Sequence, residues 1–204
     1  MIYIEYIQKE AGVDYEIFTF LGDQSWWAGA DSDGDDAMVA QLGRTLRLGP
    51  EPAYMAIWRC RGLDKLDEWE RYFASSEALR DRHGRASHRA ITFAAAGCYD
   101  ELLTGPAVGD GLQYIEFFVP GPGVPPRQNA DFFSQREQQV PEGTLNLVLQ
   151  RIGLLGPDPG GMAIWTFPDF ASLESIARQR PVDTPCSITA VGTYRRWGEE
   201  TVRR

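Results

Sequence analysis

Glu5 and Glu116 are the residues with the clearest chemical potential. Each interrupts an aromatic and aliphatic run, Tyr3-Ile4-Glu5-Tyr6 in one place and Tyr114-Ile115-Glu116-Phe117 in the other. A carboxylate among such neighbours is desolvated, which raises its pKa and suits it to proton transfer near neutral pH. Both are expected to face a cavity. A structural reading competes with this one. Arg44 and Arg151 lie among leucines and each needs a carboxylate, so Glu5 and Glu116 are equally readable as their ion-pair partners. In the catalytic reading, Arg44, Arg151 or a tyrosine stabilises the enolate or phenolate that develops.

Aromatic residues supply the expected walls. Tyr3, Tyr54, Trp58, Tyr114 and Trp165, with Tyr99 and Tyr194, either line a pocket for a flat hydrophobic molecule or simply fill the core. Tyr54 in one copy of a repeated motif is Gly161 in the other, and Cys60 is Phe167, so two half-cavities would differ in free space. His83 and His88 are the only histidines and flank Gly84 in a charged, loop-like stretch. Surface positions are the favoured reading, and one of them would be the axial ligand if the protein held haem. Asp31-Ser32-Asp33-Gly34-Asp35-Asp36 fails the calcium-loop template, because Gly falls fourth and Leu42 stands where a Glu is required. No nucleophile elbow, Walker motif or dinucleotide glycine pattern occurs. The expectation is chemistry without a metal or cofactor.

Those residues sit on a chain that repeats itself. The run Leu48 to Trp58 recurs as Leu155 to Trp165, changed only at Glu51/Asp158, Ala53/Gly160 and Tyr54/Gly161. In the same order, Glu5 matches Glu116, Arg44 matches Arg151, and Ala95-Ala96-Gly97-Cys98-Tyr99 matches Ala190-Val191-Gly192-Thr193-Tyr194. The halves are 1–104 and 112–204, joined by the Gly/Pro-rich linker 105–111.

Each half reads as strand, helix, strand, strand, helix, strand. First strands are expected at Ile2–Ile7 and Leu112–Val119, and helices at Asp14–Trp27 and Gln128–Gln139. Second strands follow at Met38–Leu48 and Thr144–Leu155, each closed by a Gly-Pro-acid-Pro turn into the third. Leu63, Leu66, Trp69 and Phe73 mark one amphipathic helix and Asp169–Gln179 another. Last strands are expected at Arg89–Tyr99 and Ser187–Arg195. The order is that of the ferredoxin-like βαββαβ unit. Both strand faces are apolar, Ile2, Ile4 and Tyr6 on one and Tyr3 and Ile7 on the other, so a sheet with helices on one side must bury its free face against the other half.

With that repeat and element order the chain resembles the dimeric α/β-barrel superfamily, with two ferredoxin-like units fused in tandem. The Trp-bearing third strand and its following helix are most similar to the NIPSNAP branch. The resemblance implies an α+β fold in which two sheets pack around a cavity. Its members include cofactor-free monooxygenases, isomerases, polyketide cyclases and haem-handling enzymes, so it does not select one activity.

Composition sets the outer limits. The 204 residues are 43% hydrophobic and 24% charged, and a chain of this length buries roughly 70% of its unfolded surface without disulfides or metals. A net charge of -9 argues against nucleic acid. No apolar run reaches the ~18 residues of a membrane span. Three scattered cysteines, Cys60, Cys98 and Cys186, and no signal-peptide pattern fit a reducing cytoplasm. Abundant arginine and scarce lysine suggest a bacterial source. Two functions stand: a small-molecule enzyme moving a proton on a hydrophobic, aromatic substrate, or a non-catalytic binding or assembly protein that forms homo-oligomers.

Overall fold

The computed structural model describes residues 1–9, 37–51, 53–75, 91–179 and 184–196. Among the described residues eight strands and three helices follow in order. They are β1 (Ile2–Lys9), β2 (Ala37–Arg44), β3 (Tyr54–Arg59), α1 (Asp64–Ser75), β4 (Ile91–Thr104), β5 (Leu112–Pro120), α2 (Pro126–Glu137), β6 (Thr144–Arg151), β7 (Gly161–Phe167), α3 (Glu174–Arg178) and β8 (Cys186–Arg196). The strands close into one antiparallel barrel in the order β1-β3-β2-β8-β5-β7-β6-β4. Strands 1–4 are contiguous in that circle, and so are strands 5–8.

Alternation along the strands sorts side chains to two faces. Ile2, Ile4 and Tyr6 of β1, Met55 and Ile57 of β3, and Tyr99 of β4 point into the barrel. There they meet Ile115, Phe117, Leu149, Met162, Ile164 and Tyr194 from the other four strands. The outward faces form two separate clusters, one holding Trp58 with Trp69 of α1, the other holding Trp165 with Phe133 of α2 and Ile176 of α3. The free face of each sheet is therefore covered by the other half, as its apolar alternation requires.

Two seams close the barrel. Across one, Arg44 of β2 stands opposite Tyr194 of β8. Across the other, Arg151 of β6 stands opposite Tyr99 of β4. Beyond each seam the chain continues as a loop bonded to the opposite half: Thr45 N–H donates to Thr193 O and Thr193 N–H to Leu48 O, while Ile152 N–H donates to Cys98 O and Cys98 N–H to Leu155 O. Gly49 and Gly156 make this approach possible. A Cβ at Gly49 would lie 2.7 Å from Gly192 Cα, and one at Gly156 would lie 2.8 Å from Gly97 Cα. Their φ values of 136° and 142° also favour glycine.

Several element boundaries move. The second strands stop at Arg44 and Arg151 instead of reaching Leu48 and Leu155, because the loops turn at Leu46 and Arg47 (φ 52° and 59°) and at Gly153 (φ 53°). The helix expected over Asp169–Gln179 is confined to Glu174–Arg178, after a turn in which Asp169 Oδ1 accepts from Ser172 N–H at 2.8 Å. The helix expected at Asp14–Trp27, the acidic run Asp31–Asp36, and His83 and His88 lie outside the described residues. Among the described residues no helix is long and apolar enough to cross a membrane.

Candidate functional site

Glu5 and Glu116 occupy equivalent positions, but not the face expected of them. Both point outward, to the helix side of their sheets. Even-numbered Ile2, Ile4 and Tyr6 take the barrel interior, and the alternation of the strand sends Tyr3, Glu5 and Ile7 the other way. The same parity puts Tyr114 and Phe118, the outward neighbours of Glu116, in the helix-side cluster of the second half. Tyr3, Tyr54, Trp58, Tyr114 and Trp165 follow the carboxylates to the outside. Of the expected aromatic wall, Tyr99 and Tyr194 alone face the interior. The interior is occupied by apolar side chains, and its described polar contact is the Tyr6–Tyr99 hydroxyl pair at 2.7 Å.

In the second half the outward carboxylate is fully engaged. Trp165 Nε1 donates to Glu116 Oε2 at 3.1 Å, and Arg136 Nη1 donates to Oε1 at 2.5 Å. Arg136 comes from the last turn of α2 and also donates from Nε to Gln179 Oε1 at 3.3 Å. Glu116 is 1% exposed and Arg136 4%. Burial raises the Glu116 pKa and the guanidinium beside it opposes that rise. A desolvated, hydrogen-bonded ion pair of this kind costs several kcal/mol to break from one side. Tyr114 packs edge-on to Phe167, and Phe118 lies over Phe133 and Gly161, which fills the remainder of this face.

In the first half the same indole contact recurs without the cation. Trp58 Nε1 donates to Glu5 Oε2 at 3.1 Å. Glu5 is half-buried, and among the described residues no Lys, Arg or His pairs with it and nothing donates to Oε1. Burial pushes its pKa from 4.5 to about 7, with the Trp58 bond pulling the other way. Ala56 of β3 and Ala96 of β4 stand opposite Glu5 on either side, so its neighbours across the sheet are small. Trp69 of α1 meets Tyr3 and Trp58 edge-on, at ring separations of 5.9 and 6.0 Å. Tyr3 has its phenol pKa raised by burial and by the Glu5 charge. The arrangement is a desolvated carboxylate with one oxygen held by an indole and no cationic partner among the described residues.

Arg44 and Arg151 do not pair with Glu5 and Glu116. Arg44 donates from Nη1 to Gly49 O and Pro50 O at 2.9 and 3.1 Å, and from Nη2 to Glu51 Oε1 at 2.5 Å. Arg151 donates from Nη1 to Gly156 O at 2.8 Å and pairs with Asp158 Oδ1 at 2.9 Å. They lock the seam loops, and the acids they hold are the one conservatively exchanged position of the repeat. The expected Glu–Arg pairing failed because leucine-rich context identifies a buried cation but not its direction from the strand.

Arg136 and Trp69 contact the candidate-site residues, and sequence reasoning did not place either beside the glutamates. A signal for Arg136 was present: Asn129, Phe133 and Arg136 are spaced four and three apart, one helical stripe, and these are the buried residues of α2. Trp58 and Trp165 were recognised as aromatic walls, but their indole N–H groups had a second meaning, since each recurs with a glutamate.

No protein-family model matches the chain, and no curated protein matches it. Solved structures do match in fold. An anthrone oxidase-like protein is 11% identical with a TM-score of 0.54, covering 97% of this chain and 91% of that one. A chlorite dismutase variant from Candidatus Nitrospira defluvii is 10% identical with a TM-score of 0.54, covering 95% and 90%. A second variant of that chlorite dismutase, in complex with cyanide, is 10% identical with a TM-score of 0.52 over the same shares. The chain thus shares its α+β fold with these solved structures.

Proposed function

We propose that the protein is a small-molecule enzyme in which Glu5 acts as a general base on a hydrophobic substrate bound against the outer face of the first half. The single observation that carries this reading is the difference between the two carboxylates. Glu116 is paired with Arg136, whereas Glu5 has no cationic partner among the described residues and burial lifts its pKa to about 7. A base of that strength is half ionised at neutral pH, where the product of base fraction and proton affinity is largest. Trp58 donates to the carboxylate, and in this reading Tyr3, on the same strand face with its phenol kept protonated by burial, donates to an oxyanion formed beside Glu5. Arg44 and Arg151 have no part in this step, since both are committed to the seam loops.

The reaction class is abstraction of an acidic C–H proton, with isomerisation, cyclisation or reaction of the carbanion with oxygen as the outcome. The second half, with its carboxylate sealed, serves as scaffold. A tandem fusion of two ferredoxin-like units, 1–104 and 112–204, accounts for a chain that carries the same indole–carboxylate contact twice.

Anthrone is a suitable probe, being apolar, flat and a carbon acid; the likeness to an anthrone oxidase-like protein adds a reason to try it. Deuterium exchange at its methylene, and its oxidation in air, are measured with wild type and Glu5→Gln. Rates should rise with pH through about 7 and fall by at least about 100-fold in Glu5→Gln. Catalysis unchanged in that variant would rule the role out.

A further inference from the structure

Residues 105–111 join β4 to β5, which stand three places apart in the barrel with β6 and β7 between them. At ordinary strand spacing the gap is about 14 Å, and a linker of this length can reach about 23 Å, so it has slack. It is nevertheless fastened to the strands that it crosses. Asn146 of β6 donates from Nδ2 to Pro106 O at 3.0 Å and to Ala107 O at 3.2 Å. Gln113 of β5 donates from Nε2 to Gly109 O at 2.9 Å and to Gly111 O at 3.1 Å. Between them, Thr166 of β7 places its hydroxyl 2.7 Å from Asn146 Oδ1 and 2.9 Å from Gln113 Oε1. The linker lies directly on the strand ends: a Cβ at Gly105 would be 2.1 Å from Leu145 O, and one at Gly111 would be 2.4 Å from Phe167 O. Val108, at its midpoint, is buried in the interior cluster.

Strand register identifies the counterparts of these residues in the first half. Tyr3 opposes Trp58 as Tyr114 opposes Trp165, and the irregularity before Ala40 repeats the one before Leu147. Ile2, Val39 and Arg59 therefore stand where Gln113, Asn146 and Thr166 do. Two buried amides occupy positions that are apolar in the other half, and both direct their N–H groups to the linker. The polar set is thus matched to the connection rather than to the barrel wall. We infer that it is a clamp that decides which partner each half takes: it keeps the two halves of one chain together and holds off exchange of halves with a second copy of the chain. In an exchanged dimer each barrel still combines a first half with a second half, so the contacts across both seams are remade. What differs is the path of the linker, which must leave the barrel end to reach the other molecule. Opening it strips the buried amides of the Pro106, Ala107, Gly109 and Gly111 carbonyls and unseats Val108, a cost that only the exchanged form carries. The inference goes beyond the proposed chemistry and does not depend on Glu5.

The test refolds the full chain at about 1 mM, the order of effective concentration that a short linker gives a tethered half. Nitrogen-15-labelled and unlabelled protein are refolded separately, diluted, mixed and weighed by native mass spectrometry. An exchanged dimer survives dilution and forms no mixed-isotope species, because its halves part only when the barrels unfold; an ordinary dimer dissociates and mixes. The double variant Asn146→Val with Gln113→Ile installs the residue types of the first half. It should raise the exchanged fraction at least about ten-fold over wild type, the worth of the hydrogen bonds removed. Val108→Ser leaves every strand residue in place and should raise it as well, so the inference stays testable if the double variant does not fold. An exchanged fraction equal to wild type in the folded variants would overturn the inference.

Discussion

At the scale of single residues, Glu116 has a cationic partner that Glu5 lacks among the described residues. Replacing Glu116 by Gln leaves the Arg136 guanidinium buried without its counter-charge, which should cost about 3 kcal/mol or more. Glu5→Gln removes a desolvated carboxylate with no described cation, and should stabilise at neutral and higher pH. The sign follows from linkage. A carboxyl whose folded pKa is raised, here from 4.5 to about 7, binds its proton more tightly in the native state. Its contribution is therefore full below about 4.5 and is lost as pH rises through about 7. Thermal melts of wild type should lose stability relative to Glu5→Gln across that window and run parallel to it above. A variant destabilised at pH 8 would show that Glu5 has a stabilising partner. Sequence alone made both carboxylates visible, because charge interrupts apolar strands. It could not assign their face, since Ile2, Ile4 and Tyr6 are as apolar as Tyr3 and Ile7, and alternation has no preferred sign when both faces are covered.

The elements of the fold were legible for a related reason. A repeat exposes its own boundaries, and period-2 alternation with shared turns gave eight strands near their observed places. The loops after β2 and β6 were read as turns, although their role is larger. Each crosses a seam, bonds the opposite half through two backbone hydrogen bonds, and is braced by an arginine holding Glu51 or Asp158. That exchange of one acid for another, seven residues after each arginine, was the available signal for the pairing. Gly49→Ala and Gly156→Ala push a Cβ into backbone across the seam, where no side chain can move aside. Each should lower stability by about 2 kcal/mol or more through overpacking and a disfavoured φ. Denaturant melts check this, and a change within about 0.5 kcal/mol would mean that the loops are not close-packed on the opposite half.

The whole molecule is a barrel that neither half closes alone. β2 needs β8 and β4 needs β6, and Ile2, Ile4, Tyr6, Met55 and Ile57 pack in one cluster with residues of the other four strands. Fragments 1–104 and 112–204 expressed separately should therefore aggregate or pair with themselves, and mixing them should restore one cooperative, mixed species. Two independently stable monomers by size-exclusion chromatography and melting would contradict a shared core. This interdependence also explains a division of labour. Apolar side chains occupy the interior, and Glu5 and Glu116 stand on the helix faces, where Glu116 is paired with Arg136. The fold class was readable from the repeat because burial of two-faced strands leaves few architectures. The face taken by Glu5 and Glu116 was not readable, because two apolar strand faces leave the sign of the alternation open.

The most direct measurement is a carbon-13 NMR titration of the glutamate side-chain carboxyls in wild type, Glu5→Gln and Glu116→Gln. One carboxyl should titrate near 7 and vanish in Glu5→Gln, while the signal missing from Glu116→Gln belongs to a different residue. A Glu5 carboxyl that titrates at the ordinary 4.5 would contradict a desolvated base at this position, and with it the proposed chemistry.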